Sequence, residues 1–150
     1  MSDSLTTLCP HCLSAVRVPS DRLADHPRCP ACKAALFPGV PLELDADKFA
    51  QLISRSELPV LVDFWAPWCG PCLRFAPVLE RAAATFSPRL IVAKVNTEQA
   101  PELASRFGIR SIPTLIVFRS GRELARVSGG MPETALAHWL GGALGWTQAA

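Results

Sequence analysis

Six cysteines fall in three Cys-x-x-Cys pairs with none left over, and this bounds the chain more tightly than any other feature. Cys9-Pro10-His11-Cys12 and Cys29-Pro30-Ala31-Cys32 stand 16 residues apart near the N-terminus. That is the spacing of a four-thiolate zinc site. Four thiolates close a tetrahedral shell and leave no open position for a water, so Cys9, Cys12, Cys29 and Cys32 are expected to hold one structural Zn2+ ion. His11 and His26 are not needed as ligands and are expected to face solvent, as is His138. The competing reading makes these pairs extra redox dithiols, or a switch that releases zinc on oxidation. The third pair, Cys69-Gly70-Pro71-Cys72, follows the apolar run Val60–Trp65 and has the setting of a redox dithiol. No organic cofactor is expected.

A chain of 150 residues accommodates one ordinary domain plus a small appendage, and 49% hydrophobic content suffices for a core. Residues 1–40 carry four basic and three acidic side chains and residues 41–150 carry eleven and ten, so each part has a net charge of +1. Neither has the basic stripe that nucleic-acid binding needs, and no anionic membrane is expected as a partner. Ahead of Cys9 there is no basic start and no apolar h-region, so no secretory signal is read. The longest apolar stretch, around Leu58–Trp68, is too short to span a bilayer. The expectation is a soluble, monomeric, cytoplasmic protein.

Residues 1–36 contain short alternating pieces such as Leu13–Val18, broken by Pro19, Pro27 and Pro30. So small a segment needs a staple to fold. Phe37-Pro38-Gly39-Val40-Pro41 reads as a linker, which divides the chain into a zinc ribbon over 1–38 and a larger domain over 39–150. In the larger part, Leu42–Leu44 reads as a short strand, and Phe49, Leu52 and Ile53 mark a helix capped by Asp45 or Asp47. Val60–Ala66 is expected as a strand buried on both faces. Phe75, Val78, Leu79, Ala82, Ala83 and Phe86 form one face of a long helix, which Pro77 is expected to kink. Leu90–Val95 reads as a strand, Glu102–Phe107 as a short helix, and Thr114–Phe118 with Glu123–Val127 as a hairpin. Leu136, Trp139, Leu140 and Ala143 face a closing helix, and Trp146–Ala150 is expected to fray. The order β-α-β-α-β-α-β-β-α predicts an α/β mixed sheet with helices on both faces.

At this level of detail the chain resembles the thioredoxin family. The residues that carry the likeness are Asp63-Phe64-Trp65-Ala66-Pro67-Trp68-Cys69-Gly70-Pro71-Cys72, Phe75-Ala76-Pro77, Ala93-Lys94-Val95-Asn96 and Phe107–Thr114 with its Ile112-Pro113 step. The match spans roughly residues 41–145. The zinc-binding extension is similar to the two-domain, thioredoxin-2 type. The resemblance implies a thioredoxin fold and a carrier that reduces protein disulfides. It also implies an NADPH-dependent flavoprotein, thioredoxin reductase, as the recharging partner. One departure stands out: many thioredoxins have a lysine directly after the second cysteine, whereas this chain has Leu73 and then Arg74.

Disulfide reduction needs a thiolate to attack and a second thiol to expel the trapped substrate. Cys69, where the strand ends and the helix begins, is the candidate exposed nucleophile, because free amide N–H groups and the helix dipole stabilise a negative sulfur there. Cys72, one turn in, is the candidate resolving thiol, and Pro71 suits the first helical turn. The plain alternative is a zinc knuckle or an inert pair. Asp63 sits in the buried strand, where its pKa should rise, and it is positioned to take the Cys72 proton through a water. Lys94, on the neighbouring strand, is its expected charge partner; a buried ion pair without a catalytic role is the alternative. Ile112-Pro113 resembles the family's cis-proline, with an ordinary trans proline as the alternative. Trp68, Gly70, Pro71, Ile112, Pro113 and Gly129 are expected to form a shallow apolar groove for oxidised client proteins, with Trp65 in the core. The reading is a protein-disulfide reductase. The second reading is a zinc-dependent, redox-regulated chaperone or adaptor that uses the fold as a platform, and an oxidase or isomerase is a third.

Overall fold

The computed structural model describes residues 3–146. Its larger part is a five-stranded mixed sheet in the order β3-β5-β4-β6-β7. The strands are β3 (Leu42–Glu43), β4 (Val60–Trp65), β5 (Ile91–Asn96), β6 (Thr114–Arg119) and β7 (Arg122–Ser128). β3, β5 and β4 run parallel, while β6 lies antiparallel to β4 and closes a hairpin with β7. The helices α1 (Ala46–Arg55), α2 (Gly70–Phe86), α3 (Pro101–Arg106) and α4 (Glu133–Leu144) fall where the sequence places them. The element order is the one read from the periodicity.

Strand alternation divides the core in two. Val60, Val62 and Phe64 of β4 point to the face covered by Phe49, Leu52 and Ile53 of α1 and Leu103 of α3. Leu61 points to the opposite face, against Phe75, Leu79, Ala82 and Ala83 of α2 and Leu136 and Leu140 of α4. β4 lies in the middle of the sheet with both faces covered, which is why its sequence runs apolar without alternation. Asp63 shares the α2 side with Leu61. α1 begins at Asp45, whose carboxylate accepts a hydrogen bond from Lys48 N at 2.8 Å. α2 continues through Pro77 to Phe86 as a single helix.

The N-terminal part is built from two hydrogen-bonded knuckles. In the first, Cys9 N donates to Ser14 O and Leu13 N to Cys9 O, both at 2.9 Å. In the second, Cys29 N donates to Ala34 O and Lys33 N to Cys29 O, both at 2.8 Å. Each turn is closed by a residue in the left-handed region, Leu13 at φ +64° and Lys33 at φ +69°. The first knuckle joins β1 (Ser4–Leu8) to β2 (Ala15–Pro19) in an antiparallel pair, and a 3₁₀ turn covers Ser20–Asp25. β1 is not legible in the sequence, because Ser4, Thr6 and Thr7 dilute any apolar alternation.

β1 binds the ribbon to the larger sheet. Leu8 is 1% exposed and lies in the same cluster as Leu52 and Ile91. Thr7 Oγ1 and Ser56 Oγ share a buried hydrogen bond of 3.1 Å, and Glu57 N donates to Thr6 O at 2.8 Å. The two segments thus share one core despite the linker between them. At the other end Trp146, expected to fray, packs on Phe86 with ring centroids 5.5 Å apart and beneath the Arg89 guanidinium at 4.4 Å. The rest of that expectation, residues 147–150, lies outside the described residues.

The shared core yields a prediction. All four tryptophans, Trp65, Trp68, Trp139 and Trp146, lie beyond the linker. Leu8→Ala should nevertheless lower the stability followed by tryptophan fluorescence in urea by about 2–4 kcal/mol. An unchanged midpoint would mean that the ribbon and the sheet fold independently.

Candidate active site and metal centre

The third cysteine pair sits where β4 hands over to α2. Cys69 is the N-cap: its Sγ accepts a hydrogen bond from Cys72 N at 3.2 Å, and its carbonyl accepts from Leu73 N at 3.1 Å. Pro71 occupies the first turn, where its missing N–H leaves no acceptor unserved. The two-residue spacer wound into that turn holds the Cα atoms 5.2 Å apart, and Cys69 and Cys72 are joined as a disulfide. Cys72 continues the buried stripe of Phe75, Leu79 and Ala82, over the sheet face that carries Asp63.

Cys69 does not stand out as the exposed sulfur of the pair. The residue is 4% exposed and Cys72 3%, and both pack with Ala66, Trp65 and Ile112. The reason is the bond itself, which draws Cys69 Sγ down onto its own helix turn and under the Ile112 carbonyl, 3.7 Å away. Exposure is concentrated beside the sulfurs, on Trp68 (69%) and Leu73 (53%).

Three loops converge on the disulfide. The Ile112–Pro113 peptide is cis, and so is Ser87–Pro88, which no pattern around it indicates. Gly129 N donates to Pro113 O at 2.7 Å, and the residue's φ of +95° favours glycine. Of the expected groove residues, Trp68, Gly70, Pro71, Ile112, Pro113 and Gly129 are all brought to this end of the sheet. Two residues beyond the expected set join them. A Cβ on Gly130 would meet Phe75 at 3.1 Å, so a side chain there would press on α2 where the loop before α4 closes on it. The Arg74 guanidinium folds back toward Gly70, 3.2 Å from where a Cβ would stand. The Gly129-Gly130 pair was the available signal for the first; nothing in the spacing points to the second. Pro71, Arg74, Phe75, Gly130 and Met131 line an open cavity of about 370 Å³ beside the dithiol.

Asp63 is 1% exposed, and Oδ1 has no hydrogen-bond partner among the described residues. Burial pushes its pKa up to about 7, against a lowering by Lys94 and with a smaller rise from Glu43. Lys94 is its register partner on β5, as expected. The two do not form a direct ion pair among the described residues, however. Lys94 Nζ lies 4.0 Å from Glu43 Oε1 and 4.1 Å from the centroid of the Trp65 ring. Trp65 is therefore only half-buried, and it faces a cation where the sequence suggested plain core.

Cys9, Cys12, Cys29 and Cys32 come together at the tips of the two knuckles, their Sγ atoms all within 4.8 Å of one another. The Cys9–Cys32 and Cys12–Cys29 Sγ pairs are each 3.6 Å apart. Zn–S bonds of about 2.3 Å place tetrahedral sulfurs about 3.8 Å apart, so the donors fit a single zinc ion in both chemistry and spacing. His11, His26 and His138 are exposed, as expected.

The sequence pattern of the thioredoxin family matches residues 40–141, and that of the thioredoxin 2 N-terminal zinc ribbon matches residues 8–34. Thioredoxin C-3 of Corynebacterium nephridii is 44% identical over 133 residues, which cover 89% of this chain and 91% of that protein. Thioredoxin 1 of Synechococcus elongatus is 51% identical over 92 residues, 61% of this chain and 86% of the relative. Thioredoxin 1 of a Nostoc species is 49% identical with the same coverage. With a Cys-Gly-Pro-Cys disulfide capping a helix at the end of the central strand, and a four-cysteine ribbon ahead of it, this chain belongs to the thioredoxin family of thiol–disulfide oxidoreductases.

Proposed function

We propose that the protein reduces disulfides of client proteins by cycling Cys69 and Cys72 between dithiol and disulfide. The observation that carries this is the Cys69 sulfur at the N-cap of α2, accepting the Cys72 amide N–H. In the reduced state the Cys69 thiolate attacks a client disulfide, forming a mixed disulfide and releasing one client sulfur as thiolate. Asp63 takes the proton of the Cys72 thiol, and Cys72 Sγ attacks Cys69 Sγ. The second client sulfur leaves, and the Cys69–Cys72 disulfide forms as two electrons pass to the client. Lys94 is a positioning residue that bears on the Asp63 charge. Trp68, Gly70, Pro71, Ile112, Pro113 and Gly129 present the shallow surface on which an extended client segment lies. An NADPH-dependent flavoprotein, thioredoxin reductase, returns the dithiol.

This reading divides the chain into a ribbon over 1–38 and a thioredoxin domain over 39–150. The turn at Pro38-Gly39, with Gly39 at φ +72°, supports that boundary. Cys9, Cys12, Cys29 and Cys32 hold one zinc ion, which supplies a cross-link that the small ribbon core lacks. The protein works as a monomer in the cytoplasm, whose reducing poise suits both zinc-bound thiolates and a reductant dithiol. Among the described residues no helix is long and apolar enough to cross a membrane.

Cys69→Ser should lose insulin-disulfide reduction by more than about 1,000-fold, since it removes the sulfur that the helix N-terminus stabilises as the attacking anion. Cys72→Ser should instead accumulate covalent client complexes on non-reducing gels. Turnover by the Cys69→Ser protein would contradict the mechanism.

Asp63 gives a second test. The folded chain keeps a proton on Asp63 that the unfolded chain releases at lower pH, so stability falls as pH rises from about 4 to about 7 and stays lower above that. Asp63→Asn should therefore stabilise the protein above pH 7 by about 3–4 kcal/mol in urea unfolding. The same variant should resolve mixed disulfides about 10–100-fold more slowly and lose the rise in rate near pH 7. A variant no more stable than the parent, with an unaltered pH profile, would remove Asp63 from the mechanism.

For the metal, Cys29→Ser should reduce bound zinc from one equivalent toward none by elemental analysis while measurable insulin reduction remains. Loss of all electron transfer with the metal, leaving only client holding, would favour the chaperone or adaptor reading.

A further inference from the structure

Asp63, Lys94 and Glu43 form a row across three adjacent parallel strands. Lys94 is the register partner of Asp63 on β4 and, on its other side, of Glu43 on β3. All three side chains stand on one face of the sheet, with a cation between two acids. The arrangement is unequal. Lys94 Nζ approaches Glu43 Oε1 to 4.0 Å and rests 4.1 Å from the Trp65 ring centroid, while Asp63 Oδ1 is left without a hydrogen bond. The ammonium is thus within ion-pair distance of Glu43, whose side chain is 66% exposed at the sheet edge, and not of the acid in the core.

We propose that Glu43 is a positioning residue for the disulfide exchange: it draws Lys94 off Asp63, so that Asp63 retains the affinity for the proton that Cys72 must surrender. The inference rests on the proton-acceptor reading of Asp63 above. A lysine closing on a buried carboxylate stabilises its charged form and makes it a poor proton acceptor near neutrality. A competing carboxylate and a π-face hold the same lysine at a distance where its field is weaker. The groups facing Asp63 are few. β5 presents Lys94, β3 presents Glu43 beyond it, and α2 presents Cys72. β6 presents Leu115, and α4 contributes Leu136 and Leu140. Glu43 is thus the one acid able to compete for Lys94 from within the row.

The test is to titrate Asp63 itself by carboxyl 13C NMR in the full-length zinc-loaded protein. Four forms are compared: the parent, Glu43→Gln, Lys94→Met, and the double variant. The expected result is a midpoint near 7 in the parent and a fall of about half a pH unit or more in Glu43→Gln, as Lys94 turns inward. The rise in the rate of mixed-disulfide resolution with pH should move to lower pH by the same amount. In the Lys94→Met background, Glu43→Gln should shift the midpoint by much less, because the lysine that transmits the effect is gone. An unmoved Glu43→Gln midpoint, or the same shift with and without Lys94, overturns the proposal while leaving Asp63 as the acceptor. A parent protein in which Asp63 titrates as an ordinary carboxylate overturns both.

Discussion

The hydrogen bond from the Cys72 amide to the Cys69 sulfur is one of the few that a side chain can make at the first turn of a helix, and the rest of the site is arranged around it. A helix start leaves backbone N–H groups pointing outward with no carbonyl to receive them. When the capping atom is a sulfur, those donors favour its anionic form, and the helix dipole adds to the effect. Pro71 in the first turn lacks an N–H that would have had no carbonyl partner there, and the turn itself brings the second sulfur within bonding reach. The sheet then fixes where this helix start points. β4 is locked between β5 and β6, so the sulfur emerges at the end of the most constrained strand, facing the Ile112 carbonyl.

Beneath that surface the protein carries a buried acid that weakens it. Asp63 interrupts an otherwise apolar strand, and the neighbouring lysine lies against Glu43 and Trp65 without forming an ion pair with it. An ion pair in the core would have relieved the acid, but it would also have favoured the charged form and lowered the proton affinity on which the proposed role depends. A carboxyl group held near neutrality, poised between protonated and ionised forms, is what the second step of disulfide exchange needs. Under the proposed mechanism, stability and proton transfer are set against each other at this one residue.

Much of this is written in the chain. The period of 3.6 locates the helices of the large domain because each buries one clear face, while β4, β5 and β6, buried on both, announce themselves as largely apolar runs. The cysteine spacings are equally legible, since metal and disulfide geometry tolerate few alternatives. What escapes is whatever depends on partners distant in sequence. β1 is half polar, and its role appears only when Thr7 meets Ser56 and Leu8 enters the far core. Glu43 looks like any surface acid until β3 is placed beside β5. Arg74 folding toward Gly70, and Trp146 packing on Phe86, are side-chain choices that no local pattern encodes. Cys69 reads as exposed from its position, but in the disulfide its sulfur lies beneath a carbonyl from a loop more than forty residues away.

The ribbon and the sheet domain therefore make one molecule in which a four-cysteine segment braces one side of the sheet and a Cys-Gly-Pro-Cys pair caps a helix at its end. The claim on which all else rests is that the helix N-terminus makes Cys69 the anionic member of the pair. Brief alkylation of the fully reduced, zinc-loaded protein with iodoacetamide at neutral pH, followed by mass mapping of the modified cysteines, tests it most directly. Cys69 should be modified first and Cys72 many times more slowly. Equal rates, or preferential modification of Cys72, would contradict it.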